Sequence, residues 1–371
     1  MSAEARPPAT AAGLRGADER VLEEVVTALD RVLDDVSLLL RDAASDLPGD
    51  PAPGPLVIDL VEELRDRVHH PGKRLRPLFA SWGWAASGGG EDTRARLVDV
   101  AAALELLHLF ALIQDDVMDR SDERRGRATL HVVEAQRHRD RSGLGDPDLF
   151  GDSVAVLVSD LALSEASLLA ASAGPVVARA WRLMAAELVE GQLLDVAHTA
   201  GRGRDLATSL RIARAKSGRY TISRPLQLGA LVAGAAAEEA ARLLDWGDLV
   251  GDAFAVRDDV LGVWGDPALT GKPAGDDLRS GKPTALLVWA AELLPEAERF
   301  LLERCDAGGL DDADVVRLQE AMEAAGVRRR AEELVADLMD RSDVALAAVG
   351  ADERTTSSLR GVAEAVAWRD R

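Results

Sequence analysis

Two aspartate clusters, each at the end of an apolar helical run, are the residues best placed to do chemistry in this sequence. In ALIQDDVMD, Asp115 and Asp119 lie four positions apart and share a face if the segment is helical. Like charges at that spacing repel each other, so a positive group must offset them. Carboxylate oxygens suit Mg²⁺, which takes one or two carboxylates and completes its shell with water and phosphate oxygens. Alone, the motif also fits a helix that ends in a solvated, charged loop.

The second cluster repeats the pattern. Asp258 and Asp259 follow another apolar helical run, and a glycine-rich loop that carries Lys272 and Lys282 comes next. We expect both lysines to reach an anion held between the two acidic clusters.

Three further aspartates in that loop are open to more than one interpretation. Asp276 and Asp277 either cap the next turn or pair with a lysine. Asp266 precedes Pro267 and is better interpreted as a turn residue than as a ligand.

The rarity of lysine supports a phosphate-bearing ligand. Only four of the 44 basic residues are lysines, and each lies in a short segment marked by glycine or serine: Lys73, Lys216, Lys272 and Lys282. An ammonium group is a compact, strongly hydrated charge on a flexible stem, which a guanidinium group cannot replace. Phosphate oxygens are frequent partners of such a charge. Chance explains any single lysine as well, but not all four together with two acid-rich segments.

Two arginine-bearing segments add further positive charge. HHPGKRLRP places Lys73, Arg74 and Arg76 at a predicted helix start, where positive charge is electrostatically unfavourable, so a phosphate site is favoured over a merely charged helix end. Arg124 and Arg125 follow the first acidic cluster, and a guanidinium fork matches phosphate geometry. Together with the aspartates, these segments predict a metal-bridged pyrophosphate site. The reaction it suits is departure of diphosphate, which leaves a carbocation in an apolar cavity.

Composition excludes several classes of protein. The chain has 371 residues, 47% of them hydrophobic, and a formal net charge of −20, so a nucleic-acid or anionic-membrane surface is not expected. Its single cysteine, Cys305, rules out an internal disulfide and fits a reducing cytosol. The longest apolar stretch, 101–113, contains Glu105 and His108, so no membrane span is predicted. No signal peptide is visible, and we expect a cytoplasmic protein.

The elements that must position these residues are helices. Apolar residues recur at helical spacing from Val25 onward, alternating strand-like runs are nearly absent, and aromatic residues make up 4%. Residues 154–158 could form a strand alone but fit a buried helix better. The sequence predicts a disordered tail over 1–16, then one all-α domain over 17–371, a bundle of ten or more helices with 93–118 at its centre.

With these motifs in this order, the chain resembles the trans-isoprenyl (polyprenyl) diphosphate synthase family. The resemblance rests on GKRLRP at 72–77, DDVMD at 115–119 with RRG at 124–126, GQLLD at 191–195, KSG at 216–218 and DDVLG at 258–262 followed by TGKPAGDD. It implies an isoprenoid-synthase bundle around a deep central cavity, three Mg²⁺ ions per active site and a homodimer. The implied reaction joins isopentenyl diphosphate head-to-tail to an allylic diphosphate.

The resemblance also implies a role for each matched residue. The isopentenyl diphosphate site would comprise Lys73, Arg76, His108 and Arg125. The allylic diphosphate site would comprise Arg124, Lys216 and Lys272, with Lys282 nearby and Gln192 and Asp195 completing the network. The metal site would comprise Asp115, Asp119 and Asp258, with Asp116 and Asp259 close. His108 also fits a buried histidine that serves only the core.

Three positions depart from the family pattern. Gln114 replaces the usual histidine before the first aspartate pair, Gly262 replaces the last aspartate of the second motif, and Ala255 replaces a glutamine near the reacting centre. By the family's rule, the residues four and five before the first aspartate set product length. Ala111 there would open the pocket and Phe110 would form its floor, a pattern that resembles geranylgeranyl diphosphate synthases more than farnesyl ones.

Other functions are weaker matches. A class I terpene cyclase would leave Lys73 and Arg76 without a role and needs an aromatic-lined cavity. A non-catalytic partner subunit finds support only in Ala255 and Gly262. A purely structural helical protein leaves the distribution of lysines unexplained.

Overall fold

The computed structural model describes residues 17–46, 54, 56–70, 72–201, 203–266 and 275–369. As predicted, this part of the chain is all-α. The α-helices are α1 Ala17–Ser45, α2 Leu60–Val68, α3 Leu75–Ala86, α4 Glu91–Met118, α5 Leu130–Asp140, α6 Pro147–Ser172, α7 Pro175–Ala200, α8 Leu206–Ala213, α9 Arg224–Ala233, α10 Ala237–Trp264, α11 Asp276–Arg279, α12 Ala285–Leu293, α13 Arg299–Asp306, α14 Asp312–Ala324, α15 Val327–Val349 and α16 Glu353–Ala367. A π-helix, Arg214–Ser223, joins α8 to α9, and a 3₁₀ turn, Glu296–Glu298, precedes α13.

Helix α4 lies in the interior because its apolar residues surround it rather than forming a single stripe. Leu97, Leu104 and Leu107 are fully buried, and the helix packs against α1, α3, α6 and α9. By length and composition alone, α4 and α6 could each cross a membrane. In α4, however, 61% of the most apolar window is buried inside the bundle, against 39% in α6. The composition of α4 is thus that of a core helix.

Two hydrophobic cores meet at α3. One is built on α10, α9 and the C-terminal helices and includes the fully buried Trp246. The other is built on α1, α4, α6 and α7. Phe79 belongs to the first core and its neighbour Ala80 to the second. Helix α3 therefore lies between the two cores.

The π-helix lies close against α10 at a pair of glycines. An ideal Cβ on Gly218 would lie 2.7 Å from the carbonyl oxygen of Gly251, so any side chain there would push the two backbones apart. This close approach positions Lys216, two residues earlier in the π-helix, beside the helix that carries the second aspartate cluster.

A short hairpin follows α4. Its strands, β1 Glu123–Arg124 and β2 Arg127–Ala128, pair antiparallel and are the only strands in the described residues. Arg125 and Gly126 form the two-residue turn with φ of 54° and 71°, the conformation that suits the right-handed twist of the strands. The hairpin folds the RRG segment back over the end of α4.

Candidate active site

One cavity of about 520 Å³ brings the predicted chemical groups together. It is enclosed by the start of α3, the ends of α4 and α10, the hairpin, α7, the π-helix and α11. Its lining includes predicted site residues from every motif: Lys73, Arg76, His108, Ala111, Asp115, Arg124, Arg125, Gln192, Lys216, Asp258, Asp259 and Lys282. The two aspartate clusters, more than 130 positions apart in sequence, therefore face one space.

The first aspartate cluster is neutralised by two cations from other elements. The ammonium group of Lys216 donates to Asp115 at 2.7 Å and to Asp195 at 2.6 Å. The guanidinium of Arg124 pairs with Asp116 at 2.6 Å and lies 3.5 Å from Asp115. Burial acts to raise the pKa of Asp115, but Lys216 and its neighbouring cations outweigh it and hold that pKa at about 2. Asp115 is therefore ionised at neutral pH.

The spacing of Asp115 and Asp119 is as predicted from the sequence. Asp119 caps the C-terminus of α4, and its N–H donates to the carbonyl of Asp115 at 2.8 Å. Loss of solvation, and then the charge of Asp115, raise the pKa of Asp119. Gln192 on α7 donates to Asp115 at 3.4 Å, so the GQLLD segment joins this cluster.

The second aspartate cluster contains two carboxylates with different surroundings. Asp258 is largely exposed and accepts from Arg369, near the C-terminus, at 2.6 Å. Burial, and then the nearby charge of Asp277, raise the pKa of Asp259 well above its usual value. The amino group of Lys282 lies 4.0 Å from Asp195. Its burial opposes protonation, yet the surrounding carboxylates, Asp277 foremost, raise its pKa well above the usual value.

Another part of the cavity wall is cationic and carries a buried polar network. Arg76 donates to Thr221 at 2.8 Å, and its guanidinium lies 4.0 Å above the ring of Tyr220. The hydroxyl of Tyr220 is hydrogen-bonded to Nδ1 of His108 at 2.6 Å. Burial, followed by the charge of Arg76, lowers the pKa of His108 well below its usual value, so its imidazole is neutral. Burial also raises the pKa of Tyr220 to about 12.

Local backbone features hold this wall in place. Arg74, the N-cap of α3, adopts a left-handed conformation with φ of 49°, a strained geometry for a residue with a side chain. Its side chain is buried, donates to Val68 at 3.0 Å and lies 3.7 Å from Glu105. Gly72 leaves room for Arg125, since an ideal Cβ there would lie 2.4 Å from that guanidinium.

Several predicted residues lie elsewhere. Asp116 is buried against Arg124, and neither it nor Asp119 is among the residues that line the cavity. Ala111 lines the cavity, whereas Phe110 is buried and does not. Lys272 lies outside the described residues.

The three departures from the family pattern have distinct structural settings. Gln114 donates to Ser159 on α6 at 3.1 Å. Ala255 is 2% exposed and does not line the cavity. Gly262 does line the cavity and lies beside Asp277.

Sequence reasoning missed two residues of the site. Tyr220 was notable only as the sole tyrosine, and its contact to His108 spans 112 positions. Arg369 reaches Asp258 across 111 positions and also stacks on Phe254 at 4.2 Å. Arg257 anchors this segment, because it donates to the carbonyl of Ala367 at 2.8 Å. No local pattern marks such contacts.

The donor set fits magnesium. The acidic groups that face the cavity offer carboxylate oxygens, the ligands that Mg²⁺ prefers. Within the described residues, no three or more His, Cys, Asp or Glu side chains form a closed metal cage. Mg²⁺ characteristically takes one or two carboxylates and completes its shell with water and phosphate oxygens. Of the predicted ligands, Asp115, Asp258 and Asp259 line the cavity and would hold the ions there, whereas Asp119 lies one turn from Asp115 outside the cavity lining.

The fold and the cavity together define a class of protein, an all-α bundle in which two aspartate-rich helix ends and two groups of basic side chains share one cavity. The chain belongs to the polyprenyl synthetase family, whose family model matches residues 59–324.

Individual relatives agree on the class but differ in product. Geranylfarnesyl diphosphate synthase of Aeropyrum pernix is 34% identical over 267 residues, which cover 66% of this chain and 78% of that protein. (2E,6E)-Farnesyl diphosphate synthase of Mycobacterium bovis is 30% identical over 306 residues, 80% of each protein. A solved structure of geranylgeranyl pyrophosphate synthase from Corynebacterium glutamicum, complexed with isoprenyl diphosphate and magnesium, is 36% identical with a TM-score of 0.84, covering 94% of this chain and 99% of that one. The chain is a trans-prenyl diphosphate synthase.

Proposed function

We propose that this enzyme condenses isopentenyl diphosphate head-to-tail with an allylic diphosphate and releases geranylgeranyl diphosphate. The observation that carries the proposal is that two groups of basic side chains line one cavity together with both aspartate clusters. One wall is formed by Lys73, Arg76 and Arg125, and the other by Arg124, Lys216 and Lys282. A cyclase that ionises a single diphosphate has no use for the second wall.

Each wall is assigned one substrate. Lys73, Arg76, His108 and Arg125 bind isopentenyl diphosphate. The neutral imidazole of His108 donates or accepts a hydrogen bond without adding charge. The second wall binds the allylic diphosphate through Arg124, Lys216 and Lys282, together with Lys272 from the loop outside the described residues.

The reaction follows from this placement. The C–O bond of the allylic substrate breaks, and its electron pair leaves with the diphosphate. Lys216 and Arg124, already held beside Asp115, stabilise the negative charge that develops on the leaving group. The isopentenyl double bond then attacks the allylic cation, and the released diphosphate takes the proton from the adjacent carbon. Magnesium bound at Asp115, Asp119 and Asp258, three ions by family resemblance, supplies further neutralisation of the leaving group when present.

Product length is assigned to the residues that precede the first aspartate. Ala111 lines the cavity with a small side chain, and Phe110 is packed behind it at 8% exposure. This arrangement supports a pocket that admits a chain longer than farnesyl and ends at an aromatic floor. A farnesyl product is the main alternative.

The domain and its assembly are also part of the proposal. We assign residues 17–371 to one cytoplasmic catalytic domain that functions as a homodimer. Helices α6 and α7 expose large apolar side chains that a second copy would cover: Leu157, Leu168, Val176, Leu183, Val189 and Leu193. Sedimentation analysis of the purified chain should give twice the monomer mass, and a monomer at micromolar concentration would contradict the assignment.

The function is tested with the purified chain alone. It should be incubated with Mg²⁺, labelled isopentenyl diphosphate and each of dimethylallyl, geranyl and farnesyl diphosphate, and the products should be sized by mass spectrometry. We expect consumption of isopentenyl diphosphate and a geranylgeranyl product. Turnover of the allylic substrate alone into a hydrocarbon would identify a cyclase, and absence of all turnover would favour a partner subunit.

A further inference from the structure

The π-helix Arg214–Ser223 has two faces with different neighbours. One face lies against α10: an ideal Cβ on Gly218 would lie 2.7 Å from the carbonyl oxygen of Gly251, and one on Gly247 would lie 2.7 Å from Cα of Ser223. The other face lines the active-site cavity with four residues: Lys216, Ser217, Tyr220 and Thr221.

Two ion pairs join the first face to α10, one at the start of the π-helix and one near its middle. The guanidinium of Arg214 donates to both carboxylate oxygens of Asp252, with the Nε contact at 2.8 Å. Arg219 donates to Asp248 from Nε at 3.2 Å and from Nη2 at 2.7 Å. A pair with two contacts fixes the orientation of the guanidinium as well as its distance. The carboxylates are 17% and 15% exposed, so both are largely shielded from solvent.

The spacing of the two pairs fits a π-helix and does not fit an α-helix. Asp248 and Asp252 lie four positions apart and share one face of α10. Their partners, Arg214 and Arg219, lie five positions apart, and the i→i+5 hydrogen bonds of a π-helix stack such residues on one face. In an α-helix, residues five positions apart point about 140° from each other, so the two arginines could not both face α10.

Contacts from neighbouring elements must maintain this register, because π-helices are rare and are mostly limited to a single turn. Here ten residues adopt it. Pro225 contributes at the C-terminal end, since it lacks the N–H that an α-helix would donate to the carbonyl of Thr221, and its ring would clash with that carbonyl. The ion pairs with α10 support the rest of the segment.

The cavity face of the π-helix reaches both groups of basic side chains. Lys216 donates to Asp115 at 2.7 Å, on the wall assigned to the allylic diphosphate. Thr221 accepts from Arg76 at 2.8 Å, and the ring of Tyr220 lies 4.0 Å from the same guanidinium. Thr221 comes five positions after Lys216, so the π register keeps both on this face. A change to the α register would separate the contacts to the two walls.

We propose that the two ion pairs with α10 fix the π-helical register, and that their four residues are positioning residues for both substrate walls: Arg214, Arg219, Asp248 and Asp252. None of these four residues lines the cavity, so they act through the residues on the opposite face of the helix. The inference rests on the proposed function, because that function assigns the two walls to isopentenyl diphosphate and to the allylic diphosphate.

The test removes both pairs and measures the register at a residue type that occurs once in the chain. Tyr220 is the sole tyrosine, so tyrosine labelled with ¹³C at Cζ gives a single NMR signal, which reports the surroundings of the hydroxyl bonded to His108. Asp248→Asn combined with Asp252→Asn removes both carboxylate charges with little change in volume. We expect the signal to move toward that of the denatured chain. We also expect kcat to fall about 100-fold, the scale for reacting groups misplaced by about 1 Å.

Glu24→Gln is the matched control for the loss of an ion pair. Glu24 on α1 and Arg94 on α4 form a comparable pair between helices, with two N–O distances of 3.0 Å, and neither lines the cavity. The control should keep the wild-type Tyr220 signal and the wild-type kcat, whatever its melting temperature. All rates are measured well below the melting temperature of each variant, so a purely structural contribution of the pairs would leave kcat unchanged.

A reversed pair tests the interaction itself rather than the separate side chains. Arg214→Asp alone places a second carboxylate beside Asp252 and should lower kcat. Addition of Asp252→Arg restores a pair of opposite charges with its direction reversed. This double variant should have a higher kcat than Arg214→Asp alone, and its Tyr220 signal should return toward the wild-type position.

Two results would overturn the inference. One is a wild-type Tyr220 signal or an unchanged kcat in the folded Asp248→Asn, Asp252→Asn variant. The other is a reversed pair that is no more active than Arg214→Asp alone. Should the double asparagine variant fail to fold, Asp252→Asn, which keeps the second pair, is compared with the control in the same way. Absence of Mg²⁺-dependent condensation in the wild type would instead refute the proposed function, and the NMR comparison would still decide whether the pairs fix the register.

Discussion

The hydroxyl of Tyr220 can be removed while its surroundings stay in place, which makes Tyr220→Phe an informative perturbation. The ring is 6% exposed and lies beneath the guanidinium of Arg76 at 4.0 Å, a contact that phenylalanine retains. The hydroxyl is hydrogen-bonded to Nδ1 of His108 at 2.6 Å. The substitution therefore removes one hydrogen bond and leaves the aromatic packing unchanged.

The size of the effect follows from the burial of His108. A buried polar atom that loses its partner costs about 1–3 kcal/mol. The imidazole cannot offset this by taking up a proton, because burial and the charge of Arg76 lower its pKa well below the usual value. If the whole free-energy cost weakens the binding of isopentenyl diphosphate, the KM for that substrate rises by about 5- to 150-fold. The KM for the allylic substrate should change less than about twofold, since Lys216 and Arg124, which we assign to that substrate, pair with Asp115.

Steady-state kinetics with each substrate varied in turn measure the KM for isopentenyl diphosphate and the KM for the allylic substrate. A double-mutant cycle with His108→Ala then tests whether the hydroxyl acts through the imidazole. In the His108→Ala background, Tyr220→Phe should have little further effect. Equal increases in both KM values, or fully additive effects in the cycle, would refute the assignment of Tyr220 and His108 to the isopentenyl wall.

Three further predictions address the product, the stability and the packing. Phe110→Ala should yield a product at least one isoprene unit longer than that of the wild type by mass spectrometry, and an unchanged length would reject Phe110 as the floor. Burial raises the pKa of the Cys305 thiol from 9.0 to about 11, so the folded state keeps a proton that the unfolded state releases. This stabilisation of the folded state, up to about 2.7 kcal/mol, is complete below pH 9 and is lost as the pH rises toward 11. The free energy of unfolding in urea should therefore fall more between pH 8 and pH 10.5 in the wild type than in Cys305→Ala. Equal falls in the two proteins would contradict this prediction. Gly218→Ala should lower the free energy of unfolding by about 1–3 kcal/mol, because its Cβ meets the backbone of Gly251 at 2.7 Å; urea unfolding indistinguishable from the wild type would show that the π-helix has room to move.

The helices and the residue types of the site could be predicted from sequence because both are local patterns. Apolar residues at helical spacing predicted the all-α fold, and the comparisons with known proteins confirmed the family that the motifs indicated. The spacing of Asp115 and Asp119 predicted one shared helical turn, which the structure has.

The partners of those residues could not be predicted, because they come from distant segments. Lys216 contacts Asp115 across 101 positions, and Arg369 contacts Asp258 across 111. Asp277 was left open between a cap and a lysine partner, and its position beside Gly262 could not be predicted from the sequence. Such contacts depend on how α4, α10 and the π-helix pack, and helical periodicity does not record that packing.

The central claim is that both aspartate clusters act on one diphosphate through bound magnesium. A crystal structure with Mg²⁺, isopentenyl diphosphate and a non-ionising thiodiphosphate analogue of the allylic substrate tests it most directly. We expect metal ions between the allylic diphosphate and the carboxylates of Asp115 and Asp258, with isopentenyl diphosphate on the wall of Lys73 and Arg76. An allylic diphosphate bound without metal contact to either cluster would contradict the claim.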